Sequence, residues 1–443
     1  MTPPTTPPTT RPMTPPKTPP LTPPKTPPLT PPLTDVAGAP RPPAQQPRWA
    51  GGVPLAEVVG ELATRPPLVS ADSCYALQRE LSLAAAGGAV VVQAGDCAEP
   101  FADAAPERMT PKVELLGAIA DAVESVTGLP AVRVGRFAGQ YAKPRSRATE
   151  RLPDGRTLPV YRGDAVNGPA PDAGARTPDP ARLLAAYDHA ARALDALHLA
   201  DYLPVFDGPA PSLCLTYASH EALLLDYENA LVRDDERRGR DYGSSGHLLW
   251  IGERTRQVDG PHIAFAERVT NPVGVKVGPD AAGADVAALI TRLTEGHPPG
   301  RLSLIVRMGP RIVDELPRLL GELGDLAARA LWVSDPMHGN TRRNRHGQKT
   351  RLLPDIEREI RACGAALREH GLPLGGVHLE TTPEPVVECV ETEADLAARL
   401  DRYTSTCDPR LNAEQAIAVA RVAAEVRRDC PPAPTPPLRP PTC

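Results

Sequence analysis

The chain has 443 residues, a net charge of −5 and a pI near 6.1, which excludes the global basic field that nucleic-acid binders use. Its length allows two or three domains, or one large (β/α)8 barrel. Eight cysteines (Cys74, Cys97, Cys214, Cys363, Cys389, Cys407, Cys430 and Cys443) form no CxxC pair and no disulfide-framework spacing, so a reducing cytoplasm is the expected compartment.

The amino terminus has no apolar signal core, and no run of about 18 apolar residues occurs, so neither secretion nor membrane spanning is expected. Residues 1–43 are a Thr-Pro-Pro-x repeat with Lys17, Leu21, Lys25, Leu29 and Leu33 in the variable position. Proline at that density removes amide donors and fixes φ, so a disordered Pro/Thr-rich N-terminal tail is predicted. Residues 44–429 have ordinary composition and form the predicted catalytic domain, followed by a Pro-rich tail at 430–443.

Short apolar runs that end in polar or glycine-containing sequence predict strands at 89–93, 131–134, 247–251, 273–277, 302–306, 330–333 and 375–379. Helical patterns fall between most of them. The last is the clearest: Asn412 and Gln415 have capping-box spacing, and Val419, Val422 and Val426 follow at helical intervals. Alternating strands and helices imply a parallel sheet, and seven such units plus one more predict a (β/α)8 TIM barrel. The missing strand is expected between Gly168 and His247, at no assignable position.

Alternation along the strands sorts their side chains. Lys276 lies opposite Val273, Val275 and Val277, and Arg307 opposite Leu304 and Val306. Charge therefore stands at the ends of apolar strands, the rim where barrels carry their chemistry.

Four residues near expected strand ends have metal-ligand chemistry: Cys97, His338, Glu380 and Asp408. A lone cysteine is more often a small buried apolar residue. A thiolate, an imidazole and two carboxylates in equivalent positions together make a plausible divalent-metal set. A second group is cationic: Arg136, Lys143, Arg145, Arg254, Lys276 and Arg307. Single surface cations are normally just solvated, but several buried at one rim would need an anionic ligand such as phosphate or carboxylate.

These segments resemble the class II family of 3-deoxy-D-arabino-heptulosonate 7-phosphate (DAHP) synthases. The resemblance runs from about Ala44 to Asp429 and rests on nine ordered motifs: QAGDCAEPF, VGRFAGQYAKPRS, YRGDAVNG, YASHEALLLDYE, HLLWIGERTRQVDGPHIAFAE, NPVGVKVGP, VRMG, SDPMHGNT and CDPRLN. It implies a metal-dependent barrel enzyme that condenses phosphoenolpyruvate with erythrose 4-phosphate and releases phosphate, the first step of the shikimate pathway.

By the resemblance, Cys97, His338, Glu380 and Asp408 hold the metal (Mn2+, Co2+ or Zn2+), and Arg136, Glu253, Arg254, Lys276 and Arg307 contact phosphoenolpyruvate. Trp250, Lys143 and Glu221 should line the same site. Glu221 or Glu253 is expected to handle the attacking water, with Lys143 a proton donor. Lys349 and Arg351, with Arg145 and Ser146, are candidates for the second substrate's phosphate.

The stretch Arg342-Arg343-Asn344-Arg345 is more basic than the family pattern, and the segment from Gly168 to His247 is shorter than in feedback-regulated members. Reduced feedback control, a role in secondary metabolism and a homo-oligomer (dimer or higher) are expected, with no nucleic-acid or membrane partner. The rival readings are an aminoDAHP synthase and a non-catalytic scaffold on the same fold.

Overall fold

The computed structural model describes residues 42–152, 154–202 and 215–429. The expected amino-terminal tail, apart from its last two residues, and the whole carboxy-terminal tail lie outside the described residues. Eight parallel strands close into a barrel: β1 (Val90–Gly95), β2 (Ala131–Arg136), β3 (Tyr217–Glu221), β4 (Leu248–Ile251), β5 (Val273–Val277), β6 (Leu302–Val306), β7 (Leu331–Ser334) and β8 (Gly376–Glu380). Each strand pairs with the next in sequence, and β8 pairs with β1.

Parallel neighbours need crossovers. Helices α1 (Pro106–Thr127), α2 (Ala181–Tyr202), α3 (Leu225–Ala230), α4 (Pro261–Arg268), α5 (Gly283–Thr294), α6 (Ile312–Leu323), α7 (Leu353–Glu369) and α8 (Ala413–Arg428) follow the eight strands in turn. The predicted α8 begins with the Asn412/Gln415 capping box, and Val419 and Val422 are buried while Val426 is half-buried. Such a cap stabilises a helix start by about 1 kcal/mol.

Two predicted strands, Val273–Val277 and Leu302–Val306, coincide with those observed, and the other five differ by one or two residues at their ends. The unassigned strand is β3. Its sequence Tyr-Ala-Ser-His-Glu carries no apolar run, because Ser219 bonds the Gly135 carbonyl inside the barrel and His220 is buried against Glu228.

Strand alternation divides the core into two. Val90, Val92, Ala94, Val273, Val275 and Val277 pack outward beneath the helices. Val91, Val132, Tyr217, Leu248, Ile305 and Val333 point inward, where Leu77, Leu81 and Ala84 of helix Ala71–Ala85 join them. Each such valine, leucine or isoleucine side chain contributes about 1.5–3 kcal/mol on full burial.

Above this layer the interior becomes polar. Gln93 donates to Ser219 Oγ at 3.0 Å, and its carbonyl oxygen meets His378 Nδ1 at 2.7 Å. Buried polar groups cost stability unless bonded, so this network marks the end of the barrel built for something other than packing. Among the described residues no helix is long and apolar enough to cross a membrane.

Candidate active site

Glycine at the end of β1 sets up the site. Gly95 lies in register between Glu380 of β8 and Arg136 of β2. Its φ is +143°, and a Cβ there would sit 2.9 Å from the Arg136 carbonyl oxygen. With no side chain between them, Arg136 reaches Glu380 Oε1 at 3.2 Å across the strand.

Three of the four predicted ligand residues stand at or just after strand ends, and Asp408, expected there too, does not. Cys97 follows β1, His338 follows β7, Glu380 ends β8, and Asp408 lies in the irregular segment between β8 and α8. One ligand atom from each of Cys97, Glu380 and Asp408 lies within 4.8 Å of the others. His338 Nε2 stands 3.0 Å from Glu380 Oε1, while its Nδ1 faces the Asp335 carboxylate at 2.8 Å. A carboxylate behind the imidazole fixes the tautomer and aims the other nitrogen at the site.

Lys143 stands among these groups. Its ammonium donates to Cys97 Sγ at 2.6 Å, Asp408 Oδ2 at 2.8 Å and Glu380 Oε1 at 3.0 Å. Burial opposes ionisation of Glu380, yet His338, Lys143 and Arg351 outweigh it and hold the carboxyl well below its usual range. Burial, a hydrogen bond with Cys407 and the Glu380 charge push the Cys97 thiol up, with Lys143 opposing. Lys143 and Arg351 thus balance the carboxylates of the pocket. The thiol and two carboxylates gathered here are donor types that suit a divalent transition-metal ion, while His338 approaches them through Glu380 and falls outside the group of mutually close ligand atoms.

The predicted cations border the same space. Arg136 is buried, donates twice to the Asp96 carbonyl oxygen, touches His378 and lies over the Trp250 ring at 5.1 Å. Lys276 pairs with Asp335 at 2.5 Å inside the barrel, and burial lowers its pKa to about 8 although Asp335 pulls the other way. Arg307 donates to the His338 carbonyl at 2.8 Å. Together with Arg254, Trp250 and Glu221 they line a cleft of about 90 Å³.

The two candidate acids differ. Both oxygens of Glu253 are engaged, by the Gly278 amide at 2.7 Å and Arg256 at 2.8 Å. Glu221 Oε1 is buried with no hydrogen-bond partner, and burial raises its pKa to about 7 against the pull of Lys143, Lys276 and Arg136.

A second cleft of about 760 Å³ adjoins the first through Lys143, Arg254 and Asp408. It contains Arg145, Ser146, Arg147, Arg151, Arg343 and Lys349, so of the basic stretch after Asn340 only Arg343 lines this space, while Arg342 pairs with Asp355 and Glu393. Lys349 also pairs with Asp408 Oδ1 at 2.6 Å.

Arg351 does not belong to this cleft. Expected at a substrate phosphate, it is fully buried and donates to Glu380 Oε2 at 2.7 Å, leaving no exposed face for an anion.

Sequence reasoning assigned no role to Gln140, Asp335 or His378. Gln140 accepts the Glu221 amide at 2.9 Å and lines the first cleft. Asp335 lies within the SDPMHGNT motif, and strand alternation aims it into the barrel, where closure of the sheet brings it to Lys276. Close backbone packing also shapes the rim: a Cβ on Gly309, whose φ is +59°, would sit 2.5 Å from the Gly339 carbonyl oxygen.

Known proteins are similar to this sequence. The class-II DAHP synthetase family profile matches residues 38–202 and 211–424. A phospho-2-dehydro-3-deoxyheptonate aldolase of Streptomyces coelicolor is 39% identical over 432 residues, covering 88% of this chain and 96% of its own. A probable phospho-2-dehydro-3-deoxyheptonate aldolase of Pseudomonas fluorescens is 42% identical over 393 residues, covering 88% and 95%. Among solved structures, the phospho-2-dehydro-3-deoxyheptonate aldolase of Francisella tularensis SCHU S4 shares the fold at 13% identity, with a TM-score of 0.50 over 85% of this chain and 96% of that one. With the profile and these relatives spanning most of the described barrel, the chain belongs to the class-II DAHP synthetase family.

Proposed function

We propose that the protein condenses phosphoenolpyruvate with erythrose 4-phosphate to give DAHP and inorganic phosphate, supplying precursors to secondary metabolism. One observation carries this reading: a thiol, imidazole and two carboxylates adjoin a cleft bordered by Arg136, Lys276, Arg307 and Arg254. A heavily anionic enol phosphate and an aldehyde are the reactants such a juxtaposition suits.

Cys97, His338, Glu380 and Asp408 would hold the metal, with Mn2+, Co2+ or Zn2+ matching the donor set. A bound divalent ion supplies Lewis acidity to the aldehyde oxygen. The arginines and Lys276 bind the phosphate and carboxylate of phosphoenolpyruvate, holding its methylene carbon toward the aldehyde carbon. Carbon–carbon bond formation leaves positive character at the enol carbon. Water adds there, and the resulting phosphohemiketal expels phosphate by C–O cleavage.

Glu221 accepts the water's proton. Its oxygen without a partner and its pKa of about 7 suit that step, whereas Glu253 is committed to Gly278 and Arg256. Lys143 delivers a proton to the aldehyde oxygen. The phosphate of erythrose 4-phosphate occupies the second cleft, near Arg145, Ser146 and Lys349.

The test is a coupled assay of purified protein with both substrates. Loss of the enol absorbance should cease on metal stripping and return with Mn2+, Co2+ or Zn2+. Full turnover in excess chelator by protein free of metal would refute the reading.

A further inference from the structure

Arg351 lies between the short hairpin strand Lys349–Thr350 and α7, with its own carbonyl fixed by the Val390 amide at 2.8 Å. Its guanidinium reaches three separate segments. One terminal nitrogen donates to Glu380 Oε2 at 2.7 Å, the other to the carbonyl of Pro409, and Nε to Thr341 Oγ1 at 3.2 Å. Pro409 directly follows Asp408, and Thr341 lies three residues after His338. One fully buried cation thus joins the segments of three of the four ligand residues.

The contact also divides the work of the Glu380 carboxylate. Oε2 is taken by Arg351, while Oε1 turns toward His338, Lys143 and Arg136. A free carboxylate could swing, or present both oxygens to an ion. This one presents a single oxygen.

We infer that Arg351 is a positioning residue for the metal centre: it selects the oxygen of Glu380 that faces the ion and locks the Glu380, Asp408 and His338 segments into one arrangement. The inference rests on the metal-dependent reading above. Lysine at this position would keep the charge but lose the planar fork that spans three acceptors.

The test measures metal binding directly. Stripped wild-type, Arg351→Lys and Thr341→Val proteins are titrated with Co2+, following both heat and the Co2+–thiolate absorption contributed by Cys97. Arg351→Lys should bind Co2+ about 10–100-fold more weakly, with substrate KM values near wild type at saturating Co2+. Thr341→Val removes only one arm of the contact and should weaken binding a few-fold. It carries the test if Arg351→Lys fails to fold.

A merely structural arginine would lower the melting temperature and leave Co2+ affinity intact. Unchanged affinity in every folded variant, or a raised KM for erythrose 4-phosphate with unchanged affinity, would overturn the inference. Wild-type protein that bound no Co2+ would defeat the metal-dependent reading itself, and this inference with it.

Discussion

Replacing Lys276 by methionine removes a buried ammonium from a rim that is proposed to bind an anion, and the structure separates two consequences. The Lys276 and Asp335 side chains are 6% and 0% exposed, and they pair at 2.5 Å. Removing one partner of such a pair costs about 3–5 kcal/mol, because the remaining charge stays buried. Asp335 keeps His338 Nδ1 and the amides of Met337 and His338, so the lower end, about 3 kcal/mol, is expected.

The catalytic loss is distinct. A charge-assisted hydrogen bond to phosphoenolpyruvate is worth about 1.5–3 kcal/mol, which corresponds to a fall in kcat/KM of about 10- to 150-fold. Chemical denaturation and steady-state kinetics read the two quantities separately. Adding Asp335→Asn removes the buried charge left without Lys276, at the cost of its pairing with His338 Nδ1, and should recover part of the stability while leaving kcat/KM depressed. The reasoning fails if Lys276→Met keeps kcat/KM within threefold of wild type, or if the double variant regains activity along with stability.

Glu221→Gln should lower kcat by about 100- to 10,000-fold with little change in the KM for phosphoenolpyruvate, and a kcat close to wild type would remove Glu221 from the proton-transfer role. Burial holds the His247 pKa near 3, where its ring accepts the Ala218 amide; the unfolded chain therefore binds the extra proton below its ordinary value near 6.5, and this contribution is full above that pH and lost as pH falls. The stability of wild type relative to His247→Asn should accordingly drop by about 2 kcal/mol between pH 7 and pH 5, and a pH-independent difference in denaturant titrations would contradict the neutral buried ring. Phenylalanine, tyrosine and tryptophan, alone or combined at millimolar levels, should leave the rate nearly unchanged, since allostery needs a second site with differential binding; strong synergistic inhibition would show that the 168–247 segment retains such a site.

The seven apolar strands were legible as short apolar runs bounded by polar or glycine-containing sequence, and the faces of Lys276 and Arg307 because alternation is a local property with a period of two. Chemistry and motifs singled out Cys97, His338, Glu380 and Asp408, and the fold brings Cys97, Glu380 and Asp408 within 4.8 Å of one another across as many as 311 positions of chain. Strand β3 was not legible, since Ser219 and His220 read as polar until Gln93, Gly135 and Glu228 satisfy them in three dimensions.

Arg351 illustrates the same divide. Two residues from Lys349, it invites the same role by sequence, but the chain turns into α7 and carries its side chain beneath the rim to Glu380 and Pro409. Which charges meet was decided by register: Arg136 and Glu380 stand either side of Gly95 only because β2 and β8 both pair with β1. Local periodicity can aim a side chain inward, but its partner comes from another strand, and only closure of the barrel sets that pairing.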